Sequence, residues 1–252
     1  MARVARRRSD SGIYHIMLRG INRQNIFEDD EDRYKLLEIL RYFNSQGKYE
    51  IYSYCLMGNH VHLLLKEAED TISEAVKRIS STYVLWYNKK YKRFGHLFQD
   101  RFKSEPVENM GYFLTVLRYI HQNPIKAKIV SNILETKWTS YYEYISEAYI
   151  VDIDLALDIF SLDRNEAIDL YMKYMEEDNK DQCLDLEGRA YIDDQEIISH
   201  LKSLGVPSIS HLQQMDLASR NLVIKELKNM EGVPIRQISR VIGLSKSVVG
   251  RL

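Results

Sequence analysis

Short apolar runs rich in β-branched and aromatic side chains recur through the first half of the chain: residues 11–19 (SGIYHIMLR), 49–57 (YEIYSYCLM) and 60–66 (HVHLLLK). Their length and composition predict strands. Gly58 and Asn59 separate the last two and predict a tight hairpin turn. Residues 30–44 (DEDRYKLLEILRYFN) and 71–91 (TISEAVKRISSTYVLWYNKKY) instead repeat apolar positions every three to four residues, the helical period. The first of these opens on acidic residues, which favour a helix N-terminus. A short strand near residues 101–107 precedes another helix from Met110 to about Asn123, where Pro124 is expected to stop it. This order predicts an α+β class, an antiparallel sheet with helices packed on one face.

Strand signals fade from about residue 150. VDIDLALDIF, NEAIDLYMKYM, DDQEIISHLKSLG and ASRNLVIKELKNM are helical patterns separated by Asp, Gly, Pro and Ser. They place a boundary near residues 145–155 and predict two domains, 1–148 and an all-helical extension, 149–252. Within the extension, residues 232–252 (GVPIRQISRVIGLSKSVVGRL) read as a helix-turn-helix: helices over 235–242 and 246–252 about a Gly243-Leu244-Ser245 turn, with Ser245 as N-cap. Ile238, Ile242, Leu244 and Val249 occupy the positions to be buried. Arg236, Lys246, Ser247 and Arg251 are the candidate DNA contacts.

Composition narrows the partners. With 45% hydrophobic and 28% charged residues in 252, the chain has the make-up of an ordinary globular protein. No stretch approaches the roughly 18 apolar residues of a membrane helix, and the start MARVARRRSD leads into no signal-peptide apolar region, so no membrane role and a cytoplasmic location are expected. Cys55 and Cys183 are the only cysteines and form no C-x-x-C, which leaves His and oxygen as metal ligands. The net charge of −1 hides an acidic middle: residues 145–196 hold 4 Lys and Arg against 16 Asp and Glu, between two basic ends. Basic ends suit nucleic acid, with the acidic segment as spacer or internal competitor.

The octamer GNHVHLLL carries the first candidate chemistry. His60 and His62, at i and i+2 of a strand, project from one face and can share an ion. A lone histidine on such a strand is more often a hydrogen-bonded core residue, so further ligands are needed. The helix GYFLTVLRYIHQNP buries Phe113, Val116, Leu117 and Ile120 and gathers Tyr112, Thr115, Tyr119, Gln122 and Asn123 on another face. Tyr119 and Asn123 stand one turn apart. Docked on the histidine strand, they would form a mixed nitrogen and oxygen site of His60, His62 and the Asn123 oxygen, suited to Mg²⁺ or Mn²⁺ beside a phosphate. Tyr119 would then be the nucleophile of a phosphoryl transfer, giving a phosphotyrosine without ATP; no G-x-x-x-x-G-K-[ST] loop is present. Among 18 tyrosines, spacing alone does not choose Tyr119 over Tyr112.

YHIMLRGINRQNIFEDDEDR, YSYCLMGNHVHLLL, GHLFQDRFKS, RYIHQNPIKAKIV and WTSYYEY, in this order over residues 10–145, resemble the REP-associated tyrosine transposases of the single-tyrosine HUH (His, hydrophobe, His) group. The resemblance implies a ferredoxin-like HUH nuclease fold, a divalent metal on His60 and His62 with Asn123 as third ligand, and Tyr119 as nucleophile. It further implies cleavage of single-stranded DNA near a hairpin through a 5′-phosphotyrosine, with a free 3′-hydroxyl. Gly58 departs from the proline many relatives place there. Arg6 to Arg8, Arg19, Arg23, Arg101, Lys103, Lys126 and Lys128 would hold phosphates, Arg7 among them, while tyrosines stack unpaired bases. The competing reading is a catalytically silent, domesticated DNA-binding protein that recognises repeated palindromes. A histidine-triad hydrolase is disfavoured because Leu64 breaks its alternation, and monomer and homodimer remain open.

Overall fold

The computed structural model describes residues 6–99, 101–177, 181–184, 194–230 and 233–251. The chain divides into two compact units, 1–185 and 186–252.

The first unit begins β1 (Ile13–Arg19), α1 (Asp30–Ser45), β2 (Tyr49–Leu56), β3 (His60–Glu67), α2 (Ile72–Lys90), β4 (Lys103–Pro106) and continues with α3 (Met110–Lys126), α4 (Tyr141–Ile145), α5 (Asp154–Phe160) and α6 (Arg164–Glu176). The strands form one sheet in the order β2-β3-β1-β4, each neighbouring pair antiparallel. A βαββαβ sequence with this order is the ferredoxin-like arrangement. Local chemistry fixes the element starts. Asp29 with Asp32 and Thr71 with Glu74 form reciprocal capping boxes on α1 and α2, and the Asn109 side chain caps α3. Edge strand β2 is covered by residues 138–140: the Leu56 amide donates to the Trp138 carbonyl (2.9 Å) and the Ser140 amide to the Tyr54 carbonyl (3.1 Å).

Three expectations change here. First, helices lie on both faces of the sheet. Tyr49 donates its hydroxyl to the Leu40 carbonyl of α1 (2.9 Å), and its parity is opposite to that of His62, which meets α3. A central strand apolar on both sides, as β3 is, needs two covering layers. Second, Pro124 does not stop α3. Its ring removes one amide donor, but the helix runs on to Lys126, and the Ala127 amide on the Asn123 carbonyl (3.0 Å) and the Ile129 amide on the Pro124 carbonyl (2.9 Å) close the last turn. Third, the boundary falls after residue 185, not near 148. Ala156, Leu157, Ala167, Tyr171 and Met175 belong to the same buried core as the sheet, and Tyr171 stacks on Tyr144 with ring centres 4.7 Å apart. The sheet itself ends at Pro106, while the packing unit extends to the helices that cover it.

The second unit contains α7 (Asp194–Ser203), α8 (Ile209–Gln214), α9 (Leu217–Asn229), α10 (Ile235–Ile242) and α11 (Lys246–Arg251). Its core gathers Ile197, Leu201, Leu212, Ile224, Leu227, Ile238, Ile242 and Val249. Gly243 turns the chain between α10 and α11 at φ 69°, a conformation that favours glycine. The Ser245 hydroxyl then accepts from the Val248 amide (3.3 Å) as N-cap. Among the described residues, no helix is long and apolar enough to cross a membrane.

Candidate active site

Register decides which side chains meet. In the β1·β3 ladder Arg19 pairs with His60, Met17 with His62 and His15 with Leu64, so His15, Met17, Arg19, His60 and His62 share one face. Helix α3 lies over that face. The His60 and His62 ring centres are 5.0 Å apart, and the Tyr119 ring lies 5.8 Å from His62. Asn123, one turn further along α3, places its Nδ2 3.5 Å from His62 Nε2. On the other side of the ring, His62 Nδ1 is 2.9 Å from His15 Nε2. His60 Nδ1 meets the Asn59 Oδ1 at 2.7 Å.

The electrostatics favour neutral imidazole. His62 is fully buried, and loss of hydration, reinforced by neighbouring His15 and His60, holds its pKa well below the ordinary histidine value. A neutral ring keeps a lone pair, the form a metal requires. Among the described residues, no three or more His, Cys, Asp or Glu side chains form a group able to hold an ion, so the chain's own donors here are two imidazoles and an amide. That mixed set fits a hard divalent cation that takes its remaining oxygens from water and phosphate. One detail differs from expectation: the Asn123 atom nearest His62 is nitrogen. An amide NH₂ is drawn to an imidazole lone pair, and a half-turn of the amide exchanges its two ends.

The structure also separates the two candidate tyrosines. Tyr112 hydrogen-bonds Glu105 and Cys183, whereas Tyr119 is the one against the histidines. Gln122, from the same polar stripe, is taken up by packing: its Nε2 donates to the Met175 (2.7 Å) and Glu177 (3.0 Å) carbonyls.

Residues 9–123 match the family profile described as Transposase IS200 like. That segment runs from just before β1 to Asn123 and contains all four residues of the site. Over that segment the chain is similar to the IS200-like transposases. Solved structures similar to the chain include three examples. The REP-associated tyrosine transposase bound to a REP hairpin has 17% identity and TM-score 0.49, covering 61% of this chain and 90% of its own. A candidate transposase of Deinococcus radiodurans has 20% identity and TM-score 0.34, over 47% of this chain and 95% of its own. A bacterial tRNA(His) guanylyltransferase-like protein in complex with ATP has 11% identity and TM-score 0.31, over 58% and 72%. No curated protein matches the chain.

Around the histidines of this unit, the expected cations fall into groups. Lys103 pairs with Met17 and so stands in the row that crosses the sheet through His62. Arg19 ends β1 opposite His60, and the neighbouring Arg23 charge, after burial, lowers its pKa. Lys126 places Nζ 4.6 Å from the Tyr119 ring centre and also donates to the Asp181 carbonyl (3.3 Å). Arg7, Arg101 and Lys128 are exposed, and no described contact ties them to the histidines. In the separate helical unit, Arg236, Lys246, Ser247 and Arg251 are exposed on α10 and α11, as expected. The residue missed from sequence is His15. Its signal was present in IYHIMLR, a polar ring inside a fully apolar strand, but its partner lies on another strand.

Proposed function

We propose that this chain is an IS200-like transposase that cuts and rejoins single-stranded DNA near hairpins through a covalent link to Tyr119. The observation that carries this reading is the placement of Tyr119 and Asn123, one helical turn apart, over the paired His60 and His62. His60, His62 and Asn123 would hold Mg²⁺ or Mn²⁺, which when bound supplies Lewis-acid polarisation of a phosphate oxygen. Tyr119 Oη attacks the scissile phosphorus, the bond from phosphorus to the 3′ oxygen breaks, and a 5′-phosphotyrosine and a 3′-hydroxyl result. Oη loses its proton and the departing oxygen gains one. A diester replaces a diester, so the bond energy is kept for rejoining. Burial of Tyr119 keeps bulk water from competing for the linkage. Lys126 stands beside the phenol ring, where its charge offsets negative charge developing on it. Arg19, Arg23 and Lys103 surround the histidine face and would hold the strand by its phosphates.

The second unit is assigned to duplex reading on its own observation. Its α10–α11 pair buries Ile238, Ile242 and Val249 while leaving Arg236, Lys246 and Arg251 exposed.

The test is cleavage of 5′- and 3′-labelled single-stranded hairpin DNA, from palindromes flanking the gene, with Mn²⁺, Mg²⁺ or EDTA. Wild type is expected to form a metal-dependent covalent adduct that Tyr119→Phe lacks and Tyr112→Phe keeps. Tight hairpin binding with no adduct in either metal would replace this reading by the silent DNA-binding one.

A further inference from the structure

On the reading of His60, His62 and Asn123 as a cation-holding set, we infer that His15 is a positioning residue that locks His62 in the tautomer with its proton on Nδ1. His15 Nε2 and His62 Nδ1 face each other at 2.9 Å, so one carries a hydrogen and the other a lone pair. Which is which follows from the far side of the His62 ring. There Nε2 looks toward the Asn123 amide, 3.5 Å away, where the cation would be held, and a nitrogen that ligates a cation must keep its lone pair. Nε2 therefore holds the lone pair, the proton of the neutral ring sits on Nδ1, and His15 Nε2 is the acceptor.

This ordering has a chemical consequence. A neutral histidine in water prefers its proton on Nε2, which would close the nitrogen that looks toward Asn123. Acceptance by His15 reverses that preference and leaves Nε2 open to a cation, the service that an outer hydrogen bond performs for a ligating imidazole. Both rings are fully buried, so water cannot substitute as acceptor without a rearrangement. The same side chain also sets its ring edge against Tyr119, with centres 5.8 Å apart and planes at 64°. One residue of β1 thus touches both the first histidine partner and the candidate nucleophile, and it contributes to neither the metal set nor the attack.

The experiment reads tautomers in the metal-free protein. ¹⁵N NMR of histidine-labelled wild type near neutral pH is expected to show His62 protonated on Nδ1. In His15→Leu the proton should move to Nε2, and Mn²⁺ affinity, followed by the EPR signal of free Mn²⁺, should fall about 10–100-fold. His15→Gln, whose side-chain oxygen can accept in the same place, should recover affinity to within a few-fold of wild type. A wild-type His62 protonated on Nε2 overturns the inference without any variant, so a misfolded His15→Leu cannot shelter it. Unchanged Mn²⁺ affinity in a folded His15→Leu overturns it as well. A wild type with the expected tautomer but no Mn²⁺ binding refutes the cation reading of the site, a different signature.

Discussion

His62, packed against α3, and His121, borne on α3, are both fully buried, yet their surroundings differ in kind. His62 is bounded by nitrogen: His15 Nε2 on one side, the Asn123 amide on the other, His60 alongside. His121 is bounded by hydroxyls. Its Nε2 meets Ser53 Oγ at 3.0 Å and Ser140 Oγ at 2.8 Å, and its Nδ1 meets the Tyr171 hydroxyl at 2.9 Å. A hydroxyl rotates to donate or accept, so either tautomer of His121 is satisfied and its network is closed. His15 and His62 instead share one proton between two ring nitrogens that cannot rotate, and with that proton on His62 Nδ1 a lone pair is directed at the candidate nucleophile's helix. Burial alone therefore does not mark a functional histidine. The freedom of its partners does.

The largest effect that would sharpen this contrast is on chemistry. His62→Ala should lower metal-dependent adduct formation by at least about 100-fold, because loss of even an outer partner of a ligand costs about 10–100-fold. His121→Ala should leave adduct formation nearly intact at temperatures where the variant is folded. Equal losses in the two variants, measured by denaturing gel on the labelled hairpin, would break the comparison.

Stability should reverse the order. His121→Ala removes the hub of three buried hydroxyls and opens a cavity, at a cost of about 3 kcal/mol in urea unfolding. His62→Ala should cost less, since it breaks the 2.9 Å contact to His15, where His121→Ala frees three buried hydroxyls.

Acid separates them further. Burial lowers the His121 pKa to about 3, and no charged side chain is among the partners that face it: Ser53, Ser140 and Tyr171, with the rings of Tyr141 and Tyr144. Below the unfolded value near 6.5 the unfolded chain binds a proton that the folded one refuses, so this stabilisation is present above that pH and declines as pH falls toward the folded value. Between pH ~6.5 and ~5 the loss is about 2 kcal/mol for this histidine. His62 adds a loss of the same sign. His121→Ala should consequently show a shallower fall in urea midpoint over this window than wild type, and identical slopes would show that His121 does not carry it.

What could be read in advance follows the range of the interactions. The hairpin, the capped helix starts and the common face of His60 and His62 are set by neighbours in sequence, and the spacing of Tyr119 and Asn123 by one helical turn. The His15 contact with His62 spans 47 positions and depends on the β1·β3 register, which the apolar pattern of β1 does not reveal because both its faces are buried. The same holds for Tyr171, which joins the core from 50 residues beyond His121 and moves the unit boundary with it. Pro124 fails to end α3 for a local reason: it removes a single hydrogen bond close to a helix end, where the following turn supplies replacements.

The smallest effect tests whether the two histidines are independent. Ser140 Oγ contacts His121 Nε2 at 2.8 Å and Ser53 Oγ at 3.1 Å, and accepts from the Tyr54 amide at 3.0 Å. In Ser140→Ala, His121 keeps Ser53 and Tyr171, while the Tyr54 amide of edge strand β2 loses its acceptor. One buried donor left unsatisfied costs about 1–2 kcal/mol, to be read as a shift in urea midpoint. Adduct formation and the His62 tautomer should not move, because Ser140 touches only the closed network. If adduct formation instead falls with the midpoint unchanged, α3 transmits the state of His121 to Tyr119 two residues away, and the two histidines belong to one site.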